Sequence, residues 1–169
     1  MLVLKRHRDL EGLRRVPWPR WVILSLMTLI CVLGLLNVFG QRPSSVSADS
    51  AKAKLTVYAP TTLRGGLLFS ARFHITAHRE LKNATLVLDP GWAEGMAINT
   101  IEPSPVGEAS RNGRLSFQLG HVPAGQAFIL FMQFQVNPTN VAWNRPQNVE
   151  LDDGNERLLA IDRDVDIYP

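Results

Sequence analysis

The feature that most constrains this chain is a run of nineteen uncharged residues, 21–39, close to its N-terminus. Asn37 is the only strongly polar side chain in the run. Because a helix rises about 1.5 Å per residue, the run spans about 28 Å, close to the ~30 Å hydrocarbon core of a bilayer. The sequence therefore predicts one N-terminal transmembrane helix over residues 21–40.

Charge is distributed unevenly on the two sides of this run. Residues 1–20 hold six Lys/Arg and two Asp/Glu, a net charge of +4, whereas the rest of the chain carries −1. Basic residues stay on the cytoplasmic side of a span, so we expect a cytoplasmic segment over 1–20 and a C-terminal domain outside the plasma (inner) membrane. Trp18, Arg20 and Trp21 are expected to anchor the helix at the interface. Because the excess basic charge lies in this segment alone, no nucleic-acid partner is predicted.

A competing interpretation is that the N-terminal helix is cleaved off. The triplet Val46-Ser47-Ala48 resembles the small-residue site of a signal peptide, and cleavage near Ala48 would release a secreted domain. The basic leader of twenty residues and the apolar run are both longer than in signal peptides, whose apolar region is about 7–15 residues. The sequence therefore favours an uncleaved signal-anchor, with secretion after cleavage as the alternative.

The remainder of the chain has the pattern of an all-β domain. Residues 41–54 are rich in Ser and Ala and are predicted to be a linker. From residue 55 apolar and polar residues alternate in short runs separated by Gly and Pro, most clearly over 67–77 and 127–136. This pattern predicts an Ig-like antiparallel β-sandwich of 7–8 strands over residues 55–169.

Two short motifs in the predicted β domain resemble those of a known class of modules. Pro90-Gly91-Trp92 follows one predicted strand, and the turn at 119–126 (LGHVPAGQ) precedes an apolar strand. These residues resemble bacterial Ig-like modules of the cell-adhesion-related (CARDB-type) and repeat-adhesin families. The resemblance implies a non-catalytic interaction module in the bacterial cell envelope, and it implies no particular ligand.

Metal binding and catalysis find little support in the residue pattern. His74, His78 and Glu80 have a spacing that brings two imidazoles together on a helix, but residues four apart on a strand lie about 13 Å apart. No G-x-S-x-G motif occurs, and the single cysteine, Cys31, falls in the apolar run. We therefore predict no enzyme activity, no catalytic residue, no cofactor and no metal.

Other polar and aromatic residues leave a ligand-binding alternative open. Acidic residues gather at Asp152, Asp153 and Glu156 and again at Asp162, Asp164 and Asp166, and calcium at the first group is one possibility. Trp92 and Trp143 lie in predicted loops, where they either stack on a sugar or peptide or cap the ends of the sandwich. The alternative function is therefore a sensor or adhesin domain that binds glycan, peptidoglycan or calcium.

One predicted strand carries large apolar residues on both of its faces. In 127–136, Phe128, Leu130 and the alternate residues after them form a core face, whereas the other face carries Ile129, Phe131 and Gln133. Val87, predicted on a neighbouring strand, would extend this outward patch. Because exposed apolar patches often mark interfaces, we predict a partner face of Val87, Ile129, Phe131 and Gln133, which binds a membrane or envelope protein. The alternative is that the loop 137–148 covers these side chains.

Overall fold

The computed structural model describes residues 18–38 and 40–169, and the chain divides between Val38 and Phe39 into two compact units. The first unit contains one helix, and the second contains a β domain. Most of the predicted cytoplasmic segment, residues 1–17, lies outside the described residues.

Helix α1 runs from Trp18 to Leu35 and is long and apolar enough to cross a membrane. It begins and ends earlier than the predicted 21–40. Asn37 adopts a left-handed conformation with φ of 52°. The Asn37 N–H donates to Gly34 O at 3.0 Å and the Val38 N–H to Leu33 O at 3.1 Å. These bonds form a Schellman motif, which satisfies the last carbonyls and ends the helix before the apolar run ends.

The β domain contains thirteen strands within the described residues, rather than the predicted seven or eight. They are β1 Ser45–Asp49, β2 Ala53–Tyr58, β3 Thr62–Arg64, β4 Leu68–Ala77, β5 Leu81–Leu88, β6 Met96–Glu102, β7 Gly107–Arg111, β8 Arg114–Val122, β9 Ala127–Val136, β10 Ala142–Pro146, β11 Val149–Asp153, β12 Glu156–Ile161 and β13 Asp164–Tyr168. The additional strands are short, and four of them (β1, β3, β7 and β10) lie in segments where the sequence predicts none.

The strands form two large sheets and one small one. Sheet A has the order β1-β2-β4-β9-β6, and sheet C has the order β12-β11-β5-β8-β7. Sheet B is a smaller sheet of order β10-β13-β3, in which β13 and β3 are parallel while all other pairs are antiparallel. The predicted all-β sandwich, preceded by one apolar helix, is confirmed.

The core lies between sheets A and C and contains alternate residues of their strands. Its buried residues form one cluster that lies wholly within residues 53–167. The rings of Phe73 and Phe134 from sheet A both pack against Trp92, at centroid distances of 5.4 and 5.5 Å. Trp92 is fully buried in this cluster, so it is part of the core and is not a loop residue open to a sugar or peptide.

Sheet B closes one end of the sandwich. The chain enters the domain at this end, where the Gln41 side chain donates a hydrogen bond to Leu68 O at 3.0 Å. A 3-10 helix, Pro90–Trp92, lies under β10 so closely that a Cβ at Gly91 would approach Pro146 O to 1.9 Å. Only glycine fits there. The opposite end carries the turns that follow β1, β4, β8 and β11.

The predicted linker over 41–54 is wrong from residue 45 onward. Residues Ser45–Asp49 form β1, which pairs along its full length with β2 as the edge strand of sheet A. Its side chains are mostly exposed, and only Ala48 packs against the core. Because an edge strand is held mainly by backbone hydrogen bonds, its sequence shows no apolar alternation.

Candidate functional site

The outward side of sheet A carries a contiguous group of apolar, aromatic and cationic side chains. Cross-strand register places Tyr58 opposite Arg72 and Arg72 opposite Phe131, and it pairs His74 with Ile129 in the next row. Tyr58 is 46% exposed and Ile129 is 49% exposed, which is unusual for large apolar side chains in the centre of a sheet. We call these five residues the outer face of sheet A.

A shallow cavity of about 240 Å³ is formed by four of them, Tyr58, Arg72, His74 and Ile129. The rings of Tyr58 and His74 meet edge to face, with centroids 6.3 Å apart. Arg72 is exposed and His74 is half-buried, so a cation and an imidazole border the apolar floor of the cavity. Such a surface fits a partner group that is apolar in the middle and carries carboxylates around it.

The predicted partner face is only partly assembled. Ile129, Phe131 and Gln133 share the outward side of β9, as the alternation predicts. Val87 is not part of this patch, because β5 belongs to sheet C, on the other side of the core. Its side chain is only 8% exposed. The prediction that Val87 lies on a strand neighbouring β9 is therefore wrong.

An ion-pair network lies beside Val87 on sheet C. Its cross-strand neighbours are Glu150 and Ser116. The Glu150 carboxylate accepts from Arg114 at 2.8 Å and from Arg157 at 3.3 Å, and long side chains of this kind cover apolar surface with their stems. The hydrogen bond to Glu150 is the main reason why the pKa of Arg114 is raised.

The loop 137–148, the alternative cover for these side chains, is engaged elsewhere. Within 137–148, the Asn137 N–H donates to Gly95 O, the Asn140 amide donates to the backbone of Glu94 and Gly95, and residues 142–146 form β10 in sheet B. Ile129 keeps half of its surface exposed in the presence of this loop. The outer face is therefore not covered by this loop.

The residues considered for metal binding are paired separately. His78 contacts Asp49 at 2.8 Å, Glu80 contacts His121 at 2.9 Å, and His74 lies on the outer face of sheet A. Of the acidic residues, Asp153 accepts the Asn83 N–H. Asp166 and Glu156 are also engaged, with the Asn144 N–H and with Lys52. Among residues 18–38 and 40–169, no group of three His, Cys, Asp or Glu side chains is placed to hold a metal ion.

A buried polar cluster under sheet B has no counterpart in the sequence predictions. The Arg163 guanidinium lies 4.8 Å from the Trp92 ring and donates to Pro60 O at 2.7 Å and Ala59 O at 3.4 Å. Gln147 is fully buried, and its backbone carbonyl O accepts the Trp92 indole N–H at 2.9 Å. Burial lowers the pKa of Arg163 to about 10. The sequence predicts a single strand over 158–167, and Arg163 is buried where this strand breaks into β12 and β13.

A cavity of about 440 Å³ lies between the free edges of β6 and β7. Ile98 and Ile101 of β6 and Leu115 and Phe117 of β8 supply its apolar lining, and all four also pack in or against the core. The cavity is thus the open side of the sandwich. Its position leaves the backbones of two edge strands accessible.

The predicted interface anchors lie at the beginning of α1. Trp18 and Trp21 are each 66% exposed, and Arg20 between them is also exposed. None of the side chains of α1 is buried, and Cys31 is exposed on it.

Comparison with known proteins gives only distant structural likenesses. No known protein family matches the chain, and no characterised protein matches it in sequence. The apo PCuAC domain from PmoF1 is similar at 13% identity and a TM-score of 0.37, over 73% of this chain and 100% of that one. AvmM, which catalyses macrocyclization in alchivemycin A biosynthesis, is similar at 8% identity and a TM-score of 0.39, over 77% and 92%.

A third similar structure is the GH20 exo β-N-acetylglucosaminidase from Vibrio harveyi. Its identity is 12% and its TM-score 0.32, and the match covers 76% of this chain but 18% of that enzyme. At these TM-scores the likenesses carry no argument about function. The site must be interpreted from its own residues.

Proposed function

We propose that this chain is a single-pass membrane protein that displays a non-catalytic β-sandwich on the extracytoplasmic side of the plasma membrane and binds another envelope protein there. The single observation that carries this proposal is the outer face of sheet A, where Ile129 and Tyr58 are each about half exposed on adjacent rows. The resemblance of the chain to the bacterial cell-adhesion-related modules is part of the same proposal.

Two observations support the membrane anchor. Helix α1 carries no charged residue from Trp21 to its end at Leu35, and the net charge of +4 over residues 1–20 favours a cytoplasmic N-terminus. Cleavage after Ala48 would remove four of the five residues of β1, the edge strand of sheet A. The place of Ala48 within the folded sheet therefore favours an anchor that is retained.

The chemistry of the outer face indicates what kind of protein surface would bind. Ile129 and Phe131 offer an apolar centre, and because both are already partly buried, covering each would gain about half of the ~1.5–3 kcal/mol that full burial of such a side chain supplies. Arg72 and His74 lie beside this centre and favour carboxylates on the partner. We propose a partner segment with an apolar residue flanked by Asp or Glu.

Site-specific photocrosslinking in native membranes tests this proposal with the full chain. A photoreactive residue at Ile129 is expected to give a discrete protein adduct, and the same residue at Val106 is expected to give none. Val106 is a matched control because it is 78% exposed and apolar but lies beside sheet C, where its N–H donates to Gln118 O. Equal adducts at the two positions would contradict a specific partner face.

A charge substitution separates binding from folding. Phe131→Lys should abolish the Ile129 adduct and leave the melting temperature nearly unchanged, because Phe131 is half-buried on the outward side of the sheet. A loss of about 2–4 kcal/mol in unfolding free energy, typical of core disruption, would instead mean that Phe131 serves the fold.

A further inference from the structure

Four large apolar side chains are exposed at the end of the domain closed by sheet B. They are Leu67 (48% exposed), Leu68 (49%), Val141 (47%) and Trp143 (62%), and we call them the apolar end. Within residues 40–169, they make up half of the eight large apolar side chains with comparable exposure. This concentration distinguishes the apolar end from the scattered apolar residues of ordinary protein surfaces.

Strand β13 holds the two parts of the apolar end together. On one side of β13, the Gly65 N–H donates to Tyr168 O at 2.8 Å, which fixes the turn that carries Leu67. On the other side, β10 pairs with β13, and the Trp143 ring packs edge to face on Tyr168 with centroids 4.8 Å apart. The two parts are thus about two strand spacings, or roughly 10 Å, apart.

The connection to α1 limits how far this end can be from the helix. Gln41 is bonded to Leu68 O, and six peptide steps separate it from Leu35, the last residue of α1. Six residues span at most about 22 Å, whatever the conformation of the chain between them. The far end of β4 at Ala77 lies about 30 Å farther along the strand. The tether therefore attaches to the domain at its apolar end.

The residue types at this end are those of a membrane interface. Trp and Tyr place an apolar ring in the acyl boundary while the indole N–H or phenol hydroxyl remains with headgroups and water. Arg64, in β3, is exposed beside Tyr168, where a guanidinium is suited to lipid phosphate. Asp164 is also exposed on sheet B, so apolar insertion rather than charge must supply most of the attraction.

We propose that the apolar end of the β domain docks on the outer leaflet of the bilayer that α1 crosses, with Leu67, Leu68, Val141 and Trp143 inserted at the headgroup boundary. This inference rests on the proposed function, because it takes α1 to be a membrane anchor. Docking would leave the outer face of sheet A, which is on the side of the sandwich, free to bind its protein partner.

Lipid-quenching measurements on the full chain in phospholipid vesicles test the docking. In a Cys31→Ser background, Leu68→Cys or Trp143→Cys is labelled with an environment-sensitive dye, and lipids with a nitroxide near the headgroup serve as quenchers. Val106→Cys is the matched control, because Val106 is 78% exposed and its side chain lies beside Gly120, near the end of β8 that is opposite Arg114 and far from sheet B. We expect at least threefold stronger quenching at positions 68 and 143 than at position 106, in neutral and in anionic vesicles.

Three results would overturn the proposal or assign the end to another occupant. Quenching at position 68 no stronger than at position 106, while the chain resists alkaline extraction, would contradict docking and leave the anchor intact. Protection of position 68 from aqueous iodide without lipid quenching would mean that a second copy covers the end, which also contradicts docking. Release of the whole chain by alkaline extraction would instead contradict the anchor, and with it the proposed function. Unchanged circular dichroism of the labelled variants verifies that they are folded.

Discussion

Arg163 is the residue on which the packing under sheet B most depends. Its guanidinium is buried against Trp92 and satisfies two backbone carbonyls, and no carboxylate within the described residues pairs with it. Burying a cation costs free energy, but removing it leaves those carbonyls without a donor and opens a cavity beside the indole. The lost bonds and the cavity outweigh the relief of the charge.

We therefore expect Arg163→Ala to lower the unfolding free energy of the β domain by about 2 kcal/mol. Arg157→Ala is the matched control, because Arg157 is exposed and forms a surface ion pair with Glu150 at 3.3 Å, and its loss should cost less than about 0.5 kcal/mol. Both free energies are measured by urea unfolding near neutral pH. Equal effects of the two substitutions would show that the buried guanidinium does not support the fold.

Asp152 makes stability depend on pH in a direction set by its surroundings. Burial, and then the nearby Glu150 carboxylate, raise the pKa of Asp152, and its Oδ1 atom is buried with no hydrogen-bond partner among the described residues. Because the folded state then holds the proton to higher pH than the unfolded state, stability falls as pH rises through that pKa. Ionised Asp152 is thus a cost to the fold at neutral pH.

Asp152→Asn should accordingly stabilise the domain near pH 7, by less than about 1 kcal/mol because the group is partly solvated. Near pH 3 the gain should vanish, since the carboxyl is then protonated in both states. Asp164→Asn serves as the control, because Asp164 is exposed, and it should show little change at either pH. A gain for Asp152→Asn that is as large near pH 3 as near pH 7 would contradict the electrostatic explanation.

At the scale of elements, the contact between the 3-10 helix and β10 holds sheet B on the sandwich. Gly91→Ala would force a Cβ against Pro146 O, so we expect a loss of about 2–4 kcal/mol. Gly125→Ala meets open space and costs only its left-handed φ of 77°, about 1 kcal/mol. Thermal unfolding of the two variants measures the difference. If Gly125→Ala proved the more damaging, sheet B would not depend on this close contact.

The sequence predicts elements well where large apolar residues alternate. Strand β9 has the predicted bounds, 127–136, because its inward residues are large and regularly spaced. Strands β1, β3, β7 and β10 carry short polar or irregular sequences held by backbone pairing, so alternation cannot reveal them.

Assignment of strands to sheets is harder still, since it depends on contacts far apart in the chain. For this reason the sequence alone places Val87 on a strand neighbouring Ile129, although Val87 lies across the core. The outward position of Ile129 and Phe131 needs only the period of their own strand, and so it is predicted correctly. The cluster of Arg163, Trp92 and Gln147 depends on three separate segments and has no local signal.

At the scale of the whole molecule, a helix long and apolar enough to cross a membrane and a self-contained β domain are joined by a short connection. The core cluster lies within 53–167, and the single cysteine lies in α1. The β domain therefore folds without a disulfide, and reductant should leave its melting temperature unchanged. Because the connection is short, a membrane crossed by α1 would also be the place where the β domain acts.

The orientation of the chain is the last prediction, and it follows from the charge difference across α1. With +4 on residues 1–20 and −1 on the rest, a C-terminal reporter that is active only after export should be active, and a cytoplasm-dependent reporter should be silent. Replacing Lys5, Arg6, Arg14 and Arg15 by Gln should shift part of the population to the opposite orientation. The matched control replaces exposed Lys82 and Arg111 of the β domain, which lie too far beyond the helix along the chain to affect its insertion. A reporter active in the cytoplasm in the unaltered chain, or a soluble product beginning at Asp49, would overturn the anchored, N-terminus-inside arrangement.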